Sequence, residues 1–201
     1  MVVVVVTPST PDRRRQVAEA VLQIIASRGT DAVSVREVAA ALDVSIGAIQ
    51  HYFSTKAEMV EFAFGHSVQR VRDRLIDLPQ TGDRARDIRT VLSELLPLDE
   101  TRRAEIAIHL AFASLAATTP GLQSIQRDLL AGIRNELSEA LGPGHDTQAA
   151  MLLGAVDGLA LHAVSAPGGL DADQLERALV LAVTAALHPT RKQVRKHKED
   201  R

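Results

Sequence analysis

Two short capped helices separated by a tight turn, spelled between Ser34 and Glu58, constrain this chain more than anything else in it. Ser34 and Glu37 have the spacing of a capping box that opens a helix, and Val35, Val38, Ala39 and Leu42 recur at i, i+3, i+4 and i+7 along its inner face. Asp43 and Val44 turn the chain, Ser45 is placed to cap the next helix, and Ile49 is its buried anchor. Ile46, Gly47, Ala48, Gln50, His51 and Tyr52 are then shared between the outer face and packing. Small residues at Gly47 and Ala48 let a helix backbone press into a major groove, while Gln50 and His51 offer hydrogen-bonding tips for base edges or phosphates. Thr55 with Glu58 forms a second capping box, and it puts Lys56 in the first turn of a longer helix.

The rest of the chain repeats the helical period with no convincing alternation of period two, so the fold expected is all-α with about nine helices. Val17, Ala20, Val21, Ile24 and Ile25 predict a first helix ending at Gly29, the floor for the helix-turn-helix. The fourth helix runs from Thr55 to about Leu78. Later helices are bounded by Pro79–Gly82, Pro97, Thr118–Pro120, Gly142–Gly144 and Pro167–Gly169, with Asp146 placed to cap the eighth and the ninth spanning Asp171 to about Leu187. The expected division is a disordered leader at 1–11, a three-helix domain carrying the helix-turn-helix at 12–54, a second helical domain at 55–187, and a basic tail at 188–201.

The order Ser34, Val38-Ala39, Asp43-Val44-Ser45, Tyr52-Phe53 and Thr55-Lys56-x-Glu58 resembles the N-terminal DNA-binding domain of the TetR family of one-component transcriptional regulators, over about Arg13 to Glu58. Two positions depart from the family pattern. Asp43 stands where the turn usually has Gly, and Asp is among the few residues that tolerate the left-handed conformation required there. Gln50 stands where Tyr is frequent, so no known operator sequence is carried over. The resemblance implies DNA contacts from Arg14, Ser34, Arg36, Ser45, Gly47, Ala48, Gln50, His51, Tyr52 and Lys56.

The formal net charge of −2 is unusual for a nucleic-acid binder. It is unevenly spread: the chain up to Leu78 is balanced, Pro79 to Leu187 is acidic, and the segment from His188 is basic. DNA attraction is therefore local, from Arg13-Arg14-Arg15, Arg36 and Lys56. With no cysteine there is no disulfide framework and no thiol nucleophile. The histidines are too scattered for a metal site, and no cofactor is expected. Val2–Val6 is too short to span a membrane and lacks the flanks of a signal peptide, so a cytoplasmic protein is expected.

The eighth helix is apolar nearly all round, so it must be covered on every side, and Gly154 and Gly158 offer a face on which another helix can come close. That closeness fits packing within the chain as well as a dimer contact. The family resemblance implies a homodimer whose last two long helices form a four-helix bundle, with Gly154, Gly158, Leu161, Leu179 and Val183 in the interface. The Asp157-Gly-Leu159 element resembles the subgroup that includes the choline-responsive repressor of betaine synthesis, whose ligand is not carried over. In the effector region His109 and Asp157 interrupt apolar faces. With aromatics at 2% a cage for a quaternary ammonium is hard to build, so an apolar or mixed effector lined by Phe62, His109, Phe112, Met151 and Asp157 is expected.

Nothing supports catalysis: the chain has no phosphate-binding glycine loop, no nucleophile elbow and no dinucleotide fingerprint. The expected function is repression from a palindromic operator, relieved by a small-molecule effector. The alternative is an architectural DNA binder, or an activator, without an effector. An internal cavity of several hundred Å3 would favour the sensor.

Overall fold

The computed structural model describes residues 10–188. The expected leader falls outside the described residues apart from Thr10 and Pro11, which belong to the first helix; of the expected basic tail, only His188 lies within them. Among the described residues the chain forms α1 (Thr10–Arg28), α2 (Val35–Ala41), α3 (Ile46–Gln50), α4 (Lys56–Ile76), α5 (Arg84–Ser93), α6 (Glu100–Ala116), α7 (Pro120–Leu141), α8 (Asp146–Ser165) and α9 (Ala172–Leu187). No strand occurs among them, so the fold is all-α. A short 3-10 turn at Thr30–Ala32 follows α1.

Among the described residues two compact units form, one from residues 10–72 with Ala107–Ile125, the other from Asp73–Ile106 with residues 126–188. This grouping does not follow the expected boundary at Ser54, because most of α4 and the second half of α6 pack in the unit that holds the helix-turn-helix. Burial of Val17, Val21, Ile25, Val38, Ile49 and Phe53 builds the core beneath α2 and α3 in the first unit. In the second, α9 packs on both α5 and α8, and Ile88, Leu92, Leu152, Val156, Leu175 and Leu179 are all buried.

Local chemistry explains most helix ends. Ser34 Oγ accepts the Glu37 N–H at 3.1 Å, but the reciprocal half of the expected box is missing because the Glu37 carboxylate pairs with Arg28 at 2.7 Å. Asp43 sits at φ 52, the left-handed turn residue that its short polar side chain tolerates. Asp171 and Gln174 form a complete capping box on α9. Asp146 does not cap α8 as expected. His145 occupies that position without a side-chain bond to the helix, its Nδ1 lying 3.1 Å from both the Gly142 and Pro143 carbonyls instead, and Asp146 is the first helical residue, accepting a hydrogen bond from the Ser138 hydroxyl on α7. At the other end of α8, Arg103 donates to the carbonyls of Ala163 and Val164 at 2.9 and 3.2 Å, satisfying acceptors that have no partner within the helix.

Candidate nucleic-acid interface

Helix α3 is only five residues long and is held from beneath by Ile49, which is 1% exposed. Ser45 Oγ accepts the Ala48 N–H at 3.1 Å, which fixes the entry to the helix. With Ile49 inward, Ile46, Gly47, Gln50 and His51 are exposed, while Ala48 and Tyr52 are half-buried. A Cβ at Gly47 would meet only Ser45 Oγ, at 3.9 Å, so the glycine leaves an open surface rather than filling a tight contact. The His51 and Tyr52 rings meet edge to face at 4.9 Å. Ile46, 46% exposed, was shared by the sequence reading between outer face and packing; its spacing of three from Ile49 mimics an inner stripe, which hid its exposure.

The chain leaves α3 through Phe53 and enters α4 through a modified capping box. Thr55 Oγ1 accepts the Glu58 N–H at 3.0 Å, and the Glu58 carboxylate reaches back to the Ser54 N–H at 2.8 Å, one residue earlier than the usual partner. Lys56 stands exposed in the first turn of α4.

The cations fall into two sets. Arg13 donates to Gln16 at 3.0 Å, Arg15 pairs with Asp12, and Arg28 pairs with Glu37. Arg14, expected on DNA, instead places its guanidinium carbon 4.4 Å from the centre of the Phe53 ring and 4.5 Å from that of Phe62, with Glu58 at 3.5 Å. Among the described residues, Arg36 and Lys56 carry no such partner, and both are exposed. Ser34 and Ser45 spend their hydroxyls as acceptors from backbone N–H groups, so these expected contacts are caps first.

Further along α4, Glu19 of α1 accepts from His66 at 2.7 Å and from Arg70 at 2.9 Å. Burial alone would raise the Glu19 carboxyl, but the His66 hydrogen bond and the Arg70 charge outweigh it and hold it below the usual range. An open cleft of about 630 Å3 lies beside this group, lined by Arg15, Glu19, Leu42 and His66 among others. It belongs to the helix-turn-helix unit and is not the internal cavity expected of the effector region.

The expected effector residues separate. Phe64 and Phe112 are fully buried and stacked, with centroids 4.5 Å apart at 25°, and the His109 ring lies 6.3 Å from Phe64. His109 makes no hydrogen bond among the described residues, and burial pushes its imidazole below the ordinary value. Phe62 serves Arg14 instead of lining this cluster. Met151 is 68% exposed, because it lies on the side of α8 opposite the buried Leu152, Val156 and Ala163. Asp157 is exposed in the subunit without an ion pair, yet the surrounding protein is close enough that burial raises its carboxyl. No group of three His, Asp or Glu among the described residues is arranged to hold a metal ion.

Gly154 and Gly158 share the outer face of α8 with Leu161, which is 45% exposed, and a Cβ at either glycine would meet nothing within 4 Å. Leu179 and Val183 do not join them: they are 2% and 1% exposed on the inner face of α9, and the outward apolar residues of that helix are Val180 and Leu181. The register expected for α9 was thus one stripe away from the exposed one.

Residues 18–62 match the family model of bacterial regulatory proteins of the tetR family, and residues 84–188 match that of the C-terminal region of BetI-type transcriptional repressors. The chain is 30% identical over 195 residues to the HTH-type transcriptional regulator PksA of Bacillus subtilis, covering 92% of this chain and 95% of that protein. It is 43% identical to a transcriptional regulator from Rhodococcus of known crystal structure, with a TM-score of 0.83 over 87% of this chain and 95% of that one. A regulator from Saccharomonospora viridis crystallised with choline shares the fold at 21% identity, with a TM-score of 0.74 over 84% of this chain and 94% of that one.

Proposed function

The chain belongs to the TetR family of bacterial transcriptional regulators, with a C-terminal region of the BetI-type repressors, and we propose that it works as a cytoplasmic homodimer that blocks transcription by occupying a two-fold symmetric operator. Repression is by occupancy, with no chemical step. The observation that carries the reading is the outer edge of α3. Gln50 and His51 project from a capped helix whose backbone is bared at Gly47, and Arg36 and Lys56 flank it as exposed cations without partners among the described residues. Lys56 and Arg36 neutralise phosphates, Gln50 and His51 read base edges, and exposed Ile46 can meet a thymine methyl.

A single five-residue helix reads too little DNA to be specific, so two copies are required, about one helical turn apart. The outer faces of α8 and α9 supply the contact. Met151, Leu161, Val180 and Leu181 are exposed there, and Gly154 and Gly158 leave room for another helix. Helix α8 is long and apolar enough to cross a membrane by length and composition alone. Its inner face is nevertheless packed in the protein, partly on α9, which favours a partner subunit as the cover for the rest.

For the effector we favour a neutral apolar or mixed molecule near His109 and Phe112. Choline, bound by the Saccharomonospora protein, does not carry over to this chain. The sequence holds four Phe and one Tyr, and each is committed: Phe53 and Phe62 to Arg14, Phe64 and Phe112 to each other, and Tyr52 to the reading edge. No aromatic face is left for a quaternary ammonium cage. The effector releases DNA if it binds better to a conformation with the wrong spacing between the two reading helices.

Selection of bound duplexes from a random-sequence library tests the proposal. The enriched sequence should be two-fold symmetric, with half-sites in successive major grooves. An asymmetric motif, or no enrichment above bulk DNA, would overturn it.

A further inference from the structure

Arg14 sits in a slot. Its guanidinium carbon is 4.4 Å and 4.5 Å from the ring centres of Phe53 and Phe62, and those rings are 5.4 Å apart and inclined at 57°. Its outer nitrogen faces Glu58 at 3.5 Å. Its Nε is buried and has no hydrogen-bond partner, so a phosphate cannot reach that atom without displacing the rings. Arg13 and Arg15, its neighbours, are more loosely held, each bonded to a polar side chain three residues away on α1. Arg14 instead joins α1 to the corner where α3 ends and α4 begins.

That corner carries the DNA-contacting groups. Phe53 is 1% exposed and lies three residues past the end of α3, Ser54 donates its N–H to Glu58, and Lys56 starts α4. Glu58 therefore serves two partners, the Ser54 amide and Arg14. A planar guanidinium can fill an aromatic slot and face a carboxylate at once, whereas an ammonium, compact and strongly hydrated, cannot do both.

We infer that Arg14 is a positioning residue for DNA recognition. It latches α1 to the α3–α4 corner through Phe53, Phe62 and Glu58, and so fixes Gln50, His51 and Lys56 in one register. It does not act as a phosphate contact. This inference rests on the DNA-reading function proposed above.

The test compares Arg14→Lys, which keeps the charge and loses the plane, with Phe62→Leu, which opens one wall of the slot and leaves every charge in place. Both should lower affinity for the selected operator by about tenfold, with a smaller loss on random DNA and an unchanged slope of log K against log salt. Equal losses on both DNAs in Arg14→Lys, or loss of about one unit of slope per half-site in the charge-removing Arg14→Gln, would make Arg14 a phosphate contact and overturn the inference. So would parental operator affinity in Phe62→Leu. Amide exchange in the free protein reads the latch without DNA: the Ser54 and Glu58 amides should exchange faster in both variants. Unchanged exchange overturns the latch even if the parent selects no operator, and faster exchange in that case supports the latch while the DNA-reading proposal fails.

Discussion

The α3–α4 corner and the outer face of α8 and α9 handle exposed surface in opposite ways. At the corner nearly every polar group is assigned: Ser45 and Thr55 cap, Glu58 ties back to Ser54, Arg14 is slotted between rings, and Arg36 and Lys56 are left exposed without partners among the described residues. On α8 and α9 the surface is apolar and unassigned, with Leu181 at 71% and Met151 at 68% exposure. The first region is complete as a single chain and waits for a charged polymer. On the dimer proposed above, the second meets a like surface of a partner subunit.

The sharpest way to break this comparison is to fill the glycine face. Gly158→Leu should leave the subunit folded, because among the described residues nothing beyond the adjoining helix lies within 4 Å of the new Cβ. If a second subunit packs there, the same leucine overpacks the contact. Loss of the dimer removes the coupling between half-sites, worth about 100-fold or more in operator affinity. Light scattering and operator titration on one sample decide it. A variant that stays dimeric with parental affinity would show that α8 lies outside the interface.

The next effect belongs to the reading edge. Gln50→Ala and His51→Ala should each cost about 1 to 3 kcal/mol on the selected operator and much less on random duplex. Equal losses would make them backbone contacts. Lys56→Ala should do less and do it evenly: binding to all sequences weakens, and the salt slope falls by about one unit per half-site. A Lys56→Ala variant with the parental slope would leave Arg36 as the flanking cation to be tested.

How far the sequence carried these assignments depended on the range of the interaction. Ser34, Ser45, Thr55 and Asp171 were legible as helix starts because each cap is completed within four residues, and Asp43 was legible as the turn because only short polar residues or glycine accept its φ of 52. The slot around Arg14 was not, since Phe53 and Phe62 lie far along the chain and nothing local marks them as its partners. The register of α9 failed for another reason. Leu175, Leu179 and Val183 form one apolar stripe and Val180 and Leu181 a second beside it, so periodicity alone did not say which faced inward. Arg177 lies four residues before Leu181, on the same side of the helix, and that charge was the available signal for the outer stripe. Met151 was misplaced because α8 is apolar nearly all round and offers no such mark.

The smallest expected effect contrasts the α1–α4 contact beneath the reading unit with α8 through pH. Glu19, held below the usual carboxylate range by His66 and Arg70 against the opposing effect of burial, contributes stability that is full above its ordinary value and lost as pH falls through the lowered one. Asp157 on α8 is raised by burial with no compensating charge, so the folded subunit holds its proton more tightly than the unfolded chain, and acidification through that range adds stability. Removing the two groups should therefore bend the acid limb of the stability curve in opposite directions. Glu19→Gln should lose less stability than the parent between neutral pH and the carboxylate range, starting from a neutral-pH value lower by less than about 1 kcal/mol, since the pair is substantially exposed. Asp157→Asn should start higher and fall more steeply. Denaturant titrations of both variants at several pH values from 7 downward measure this directly. If the two curves bend the same way, Asp157 is paired in the assembled protein, and the outer face of α8 is not the uncommitted surface that the single chain presents.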